Sequence, residues 1–159
     1  MGMEKLIEKF IDNDCHACYG NQFAYLPDEE IIVFTCEEPI ETNIEWKKFL
    51  KNTFNFNLTA ENVFTMSILH ELGHHYTVGY FSDEDWESQA LEKGLEDLEG
   101  AELMQAYYNL PIEKIATEFA VKVYNENPKE MRIWNHRFNC AIRHFEKKYD
   151  VKNSLLTKF

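Results

Sequence analysis

Residues 68–77 read ILHELGHHYT and hold three of the chain's six histidines. His70 and His74 are four apart. On an α-helix four residues turn about 400°, so both imidazoles leave nearly the same face, one turn apart. Glu71 stands at the edge of that face. The spacing H-E-x-x-H predicts two imidazoles sharing one zinc ion, and a carboxylate placed to take a proton from the water that zinc activates. The plainer alternative is a core helix with incidental histidines. The flanking residues Val63, Phe64, Met66, Ile68, Leu69 and Leu72 are apolar on several sides, which predicts a buried helix. Thr59 is expected to cap its start and Gly79 its end. Buried imidazoles and a carboxylate need partners. No lysine or arginine occurs from Asn52 to Glu92, so a bound divalent metal is the expected source of positive charge. Gly73 in mid-helix costs roughly 1 kcal/mol against alanine; a close backbone approach would explain it, and so would simple tolerance.

Two histidines leave a catalytic zinc site one protein ligand short. Glu92, Glu96, Glu99, Glu102, Glu113, Glu118, His136 and His144 are the candidates. A helix is expected to open at Pro111, with Ile112, Ile115, Ala116, Phe119, Ala120 and Val123 recurring at helical spacing. With Glu113 set at zero on its wheel, this apolar stripe centres near about −90° and Glu118 falls at about 140°. Glu118 therefore faces solvent, and Glu113 sits at the stripe's edge, where a carboxylate reaches inward. Ala116 and Ala120 would let this helix approach the histidine helix closely. A first-turn glutamate favoured by the helix dipole is the competing explanation of Glu113.

The pair ILHELGHHYT and EKIATEFA (113–120) resembles the small gluzincin-type metallopeptidases of the ImmA/IrrE kind. That family couples H-E-L-G-H to a later helix reading E-x-x-A-x-x-F-A. Glu113, Ala116, Phe119 and Ala120 fit that second pattern position by position. The likeness covers roughly residues 59–124 and the strand-like segments before them. It implies zinc held by His70, His74 and Glu113, with Glu71 as the catalytic carboxylate. It also implies an α+β, zincin-like fold, mostly helical, with a small sheet beside the two metal-binding helices. The acidic stretch between the two patterns carries no signature of that family. No helix-turn-helix segment is evident, although some relatives carry one. Substrate and biological role therefore do not carry over.

The remaining chain frames this reading. One domain over residues 1–159 is expected, long enough to bury a core. With 45% hydrophobic and 14% aromatic residues the composition is that of a folded chain, and a net charge of −12 argues against nucleic acid and anionic membrane surfaces as partners. Apolar runs are too short to span a bilayer. The N-terminal MGMEKLIEKFIDND has no apolar signal core, and Leu6 stands where a myristoylation site needs Ser or Thr. A cytoplasmic protein with reduced thiols is the expectation. Residues 3–11 read as a short helix. FAYLPDEEIIVFTCEEP reads as two strands around a Pro-Asp turn, and 40–51 as a helix. Residues 82–109 read as one or two acidic helices, either a solvated face or a lid over a cleft. A basic helix is expected over 129–149.

The chemistry expected is peptide hydrolysis, on a peptide or protein substrate, with Glu71 as general base. His75, Tyr107, Tyr108, Tyr124 and His136 are all candidate donors to the developing oxyanion, and His75 is equally a structural residue. Cys15, His16 and Cys18 form half of a structural zinc signature, with Cys36 as a further ligand; reduced, unligated thiols are the plainer expectation. The alternative from a different class is a metal-stabilised interaction or regulatory protein that cleaves nothing. The intact Glu71 favours the enzyme, because metal binding does not require it.

Overall fold

The computed structural model describes residues 2–37, 40–81 and 86–149. It is an α+β arrangement, mostly helical, around one small sheet. Helix α1 (Met3–Phe10) leads into β1 (His16–Tyr19), β2 (Ala24–Leu26) and β3 (Ile31–Phe34). Then come α2 (Ile40–Phe54), α3 (Val63–Thr77), α4 (Trp86–Glu92), α5 (Gly100–Tyr108), α6 (Pro111–Glu126) and α7 (Pro128–Tyr149). Among the described residues no helix is long and apolar enough to cross a membrane.

The sheet order is β1-β3-β2. β3 pairs antiparallel with β2, Tyr25 opposite Ile32, as expected of the Pro-Asp turn. It also pairs parallel with β1, Ala17 opposite Ile32. β1 was not expected as a strand. Its four residues, HACY, lack a run of β-branched side chains, and only the neighbouring β3 makes them extend.

Helix α3 is the centre of the molecule. It is buried on nearly every side, from Val63 to Gly73. The sheet and β2's edge lie on one flank, α6 and α7 on another. Phe64 shows how the layers meet. Its ring centroid lies 5.7 Å from Phe23, 6.3 Å from Phe34 and 5.1 Å from Phe138, joining loop, sheet and α7 through one side chain.

Both expected ends of this helix need correction. Thr59 initiates a turn, but α3 proper begins at Val63 after Asn62. The Thr59 N–H donates to Asn62 Oδ1 at 2.8 Å, so the two side chains lock the turn before the helix. Gly79 does not stop the helix either. The chain tightens into a 3₁₀ turn over Val78–Phe81, and Val78 keeps a right-handed conformation.

Of the two explanations for Gly73, close approach and simple tolerance, the structure shows the first. A Cβ there would lie 2.7 Å from the Ala116 carbonyl oxygen and 3.0 Å from Ala116 Cα. With Ala116 and Ala120 also fully buried, the axes of α3 and α6 come together at this point.

The acidic stretch is less solvated than expected. Its first four residues, 82–85, lie outside the described residues. Beyond them, α4, a 3₁₀ turn at Leu95–Asp97 and α5 bury Ala90, Leu95 and Tyr108 while exposing Glu87, Glu92, Glu96, Glu99 and Glu102. The apolar face of this segment packs with Leu110 of the following turn.

Candidate metal centre

His70 and His74 sit one turn apart on α3, and Glu113 faces them from the first turn of α6. His70 Nε2 lies 2.9 Å and His74 Nε2 3.2 Å from the same oxygen, Glu113 Oε2. One ligand atom from each of the three residues falls within 4.8 Å of the others. Among the described residues this is the one cluster of at least three His, Cys, Asp or Glu side chains placed to hold a metal ion.

Every other candidate for the third ligand is elsewhere. Glu92, Glu96, Glu99, Glu102, Glu118, His136 and His144 are all exposed, whereas Glu113 is 4% exposed. The phase of α6 nevertheless differs from the expected one. Its buried face is Glu113, Ala116, Thr117, Ala120 and Val121. Glu113 thus lies near the middle of the inward face, not at its edge. Ile112, Ile115, Phe119 and Val123 are half-buried at one side. An apolar stripe marks the buried face only where that face meets hydrocarbon; here it meets a polar site.

Thr117, one turn after Glu113, was not among the expected site residues. Its hydroxyl lies 3.0 Å from His70 Nδ1. That contact orients the ring so that Nε2 points at Glu113, as a hydrogen-bond partner behind a metal-binding imidazole commonly does. A threonine between apolar positions reads from sequence as a tolerated surface residue, so only the helix phase reveals it.

The five candidate donors separate clearly. Tyr107 of α5 reaches the site and donates to Glu113 Oε1 at 2.9 Å. His75 instead bonds Tyr25 of β2, Nδ1 to hydroxyl 2.7 Å, tying α3 to the sheet. The Tyr124 hydroxyl accepts from Asn135 at 2.7 Å, in the core between α6 and α7. Tyr108 is buried against Phe49, and His136 is exposed on α7 beside Cys140.

The electrostatics are those of a site built around positive charge. Burial pushes the Glu71 carboxyl up; the His70 and His74 charges oppose this and Glu113 reinforces it, with a net rise. Burial also pushes Glu113 up, but the hydrogen bonds and charges of His70 and His74 overcome it and hold the carboxyl far below its usual range. Burial lowers the His74 imidazole, and the Glu113 hydrogen bond and charge more than reverse that. Burial and the Glu113 charge push the Tyr107 hydroxyl well up, keeping it a donor. Two buried carboxyl groups thus share the site with two imidazoles. Two imidazoles and a carboxylate, with one further face open, fit a divalent cation.

Two cavities of about 850 and 890 Å³ open against this group. Glu71 and Tyr107 line both; His70 lines the first, His74 and Glu113 the second. The carboxylate of Glu71 therefore stands where bound material would meet the ligand set.

The cysteines form no such group among the described residues. Cys15 is buried just before β1, and Cys18 is half-buried within it. All four cysteines are unpaired. Burial pushes the Cys15 thiol up to about 11 and the Cys36 thiol up to about 12.

No family model, curated protein or solved structure matches this chain.

Proposed function

We propose that the chain is a zinc-dependent peptidase with a zincin-like fold, as its likeness to the ImmA/IrrE-type gluzincins implies. His70, His74 and Glu113 hold the zinc, and Glu71 is the general base. The observation that carries the reading is the convergence of two Nε2 atoms and one buried carboxylate oxygen from two helices, with Glu71 lining both adjoining cavities. Two imidazoles and one carboxylate make the three-ligand set typical of catalytic zinc. When bound, zinc supplies Lewis acidity that makes water nucleophilic near neutral pH and polarises a peptide carbonyl.

The chain's own residues supply the rest. Thr117 holds the His70 ring so that Nε2 points at the site. Tyr107 anchors the outer oxygen of Glu113. Glu71, its proton affinity raised by burial, takes the proton as water adds to the carbonyl carbon. It returns that proton to the amine nitrogen as the C–N bond breaks. A peptide or protein substrate follows from this chemistry. A cytoplasmic setting agrees with four unpaired cysteines.

Glu71→Gln tests the mechanism, because glutamine keeps the shape and cannot accept the proton. The variant is expected to fold and bind zinc as the parent does. Cleavage of a mixed peptide library at pH 7, read by mass spectrometry, should fall by about 10²-fold or more. A chelator should abolish it in the parent. Equal cleavage by Glu71→Gln removes Glu71 from the chemistry; cleavage indifferent to chelator removes the metal.

A further inference from the structure

The cavity beside His70 and Glu71 has walls that the peptidase reading alone does not explain. Its far side is built by the acidic segment: Ala90 of α4, Leu95 of the 3₁₀ turn, and Leu103 and Met104 of α5. Trp46 and Trp86 complete an apolar lining. About 850 Å³ lies within the range of sites that enclose a ligand. We infer that this cavity selects a large apolar side chain, aromatic or leucine-like, presented by a positively charged peptide.

Charge supports the second half of that statement. Glu71, Glu87 and Glu96 line the same cavity, and among the described residues no lysine or arginine lines either cavity. Glu87 and Glu96 are exposed on the acidic segment, so they meet an approaching ligand before the apolar interior does. A mouth of one sign favours a cationic peptide and disfavours an anionic one. Apolar residues remain uncovered at the same place: Leu91 is 66% and Trp86 41% exposed.

The inference builds on the peptidase reading for its consequence, which is choice of cleavage site, but binding tests it without cleavage. Trp46 and Trp86 line the cavity while Trp134 lies in the core, so tryptophan fluorescence reports occupancy. Blocked hexapeptides Ac-Ala-Ala-Xaa-Lys-Ala-Ala-amide, with Xaa Phe, Leu or Ala, would be titrated into the full chain carrying Glu71→Gln, with and without zinc. Phe and Leu peptides should bind about tenfold or more tighter than Ala. Replacing the lysine by glutamate should weaken the Phe peptide, with the gap closing in high salt. Ala90→Phe, which fills the cavity, should erase the Phe preference. Should that variant fold poorly, the exposed pair Glu87→Lys and Glu96→Lys should reverse the lysine-over-glutamate preference. Equal binding of all three peptides overturns the inference, as does an unchanged preference in folded Ala90→Phe or in the charge-reversed pair. Selective binding without cleavage by the parent would sustain this inference and defeat the peptidase reading. Cleavage indifferent to Xaa would do the opposite.

Discussion

Thr117 has no metal chemistry of its own, yet it touches the proposed metal site. Its hydroxyl lies against His70 Nδ1 and orients the ring. Thr117→Val keeps the shape and removes the acceptor. Zinc affinity, measured by competition against a chromophoric chelator, should fall roughly 10–100-fold with the fold retained. Unchanged affinity would mean that packing alone orients the ring. His70, Glu71 and His74 were legible in the sequence because their spacing states their geometry on any helix. Glu113 was legible less directly, through a helix phase that proved rotated. Thr117 was not legible, since threonine is common on helices for reasons unrelated to metals.

At the scale of elements, the contact between α3 and α6 is the one on which the site depends. The glycine at 73 leaves room for the Ala116 backbone, and this proximity lets Glu113 reach both imidazoles. Gly73→Ala would gain roughly 1 kcal/mol of helix propensity. It would also place a methyl 2.7 Å from a carbonyl oxygen that cannot swing aside. The clash should win. A thermal midpoint lower by several degrees and weaker zinc binding are expected, at about 2–4 °C per kcal/mol for a chain of this size. A raised midpoint would show that α6 can retreat without strain. Helices α1, α2, α6 and α7 were legible from period and punctuation. The two ends of α3 and the whole of β1 were not. Their limits depend on a side-chain lock at Asn62, a 3₁₀ continuation after Thr77 and a strand partner supplied by β3.

For the whole molecule, the proposed zinc should couple to stability, because the ligands come from two buried helices. Removal of zinc, verified by metal analysis, should lower the thermal midpoint by several degrees, and re-addition should restore it. An unchanged midpoint would argue against a buried, folding-coupled site. The cysteines report on the fold independently. Cys140 is exposed, whereas Cys15 and Cys36 are buried with thiols raised to about 11 and about 12. Iodoacetamide at pH 8 should therefore alkylate Cys140 first and leave Cys15 and Cys36 until denaturant is added, since the thiolate is the reacting form. Early labelling of Cys36, read by peptide mapping, would contradict its place in the core.

The sequence by itself determined the histidine spacing on α3, the buried character of that helix and the preference for Glu113 over Glu118. These are local matters: a helix turns at a fixed angle, and residues within it take their relative directions from that angle alone. Tertiary structure decided the rest. It set the rotation of α6 that centres Glu113 and brings in Thr117, and it placed the Tyr107 hydroxyl against Glu113. It also turned half of an acidic stretch inward to wall a cavity. Each of these depends on which face of one element meets another. Hydrophobic periodicity predicts that face where hydrocarbon packs on hydrocarbon, and misleads where the buried surface is itself a polar site.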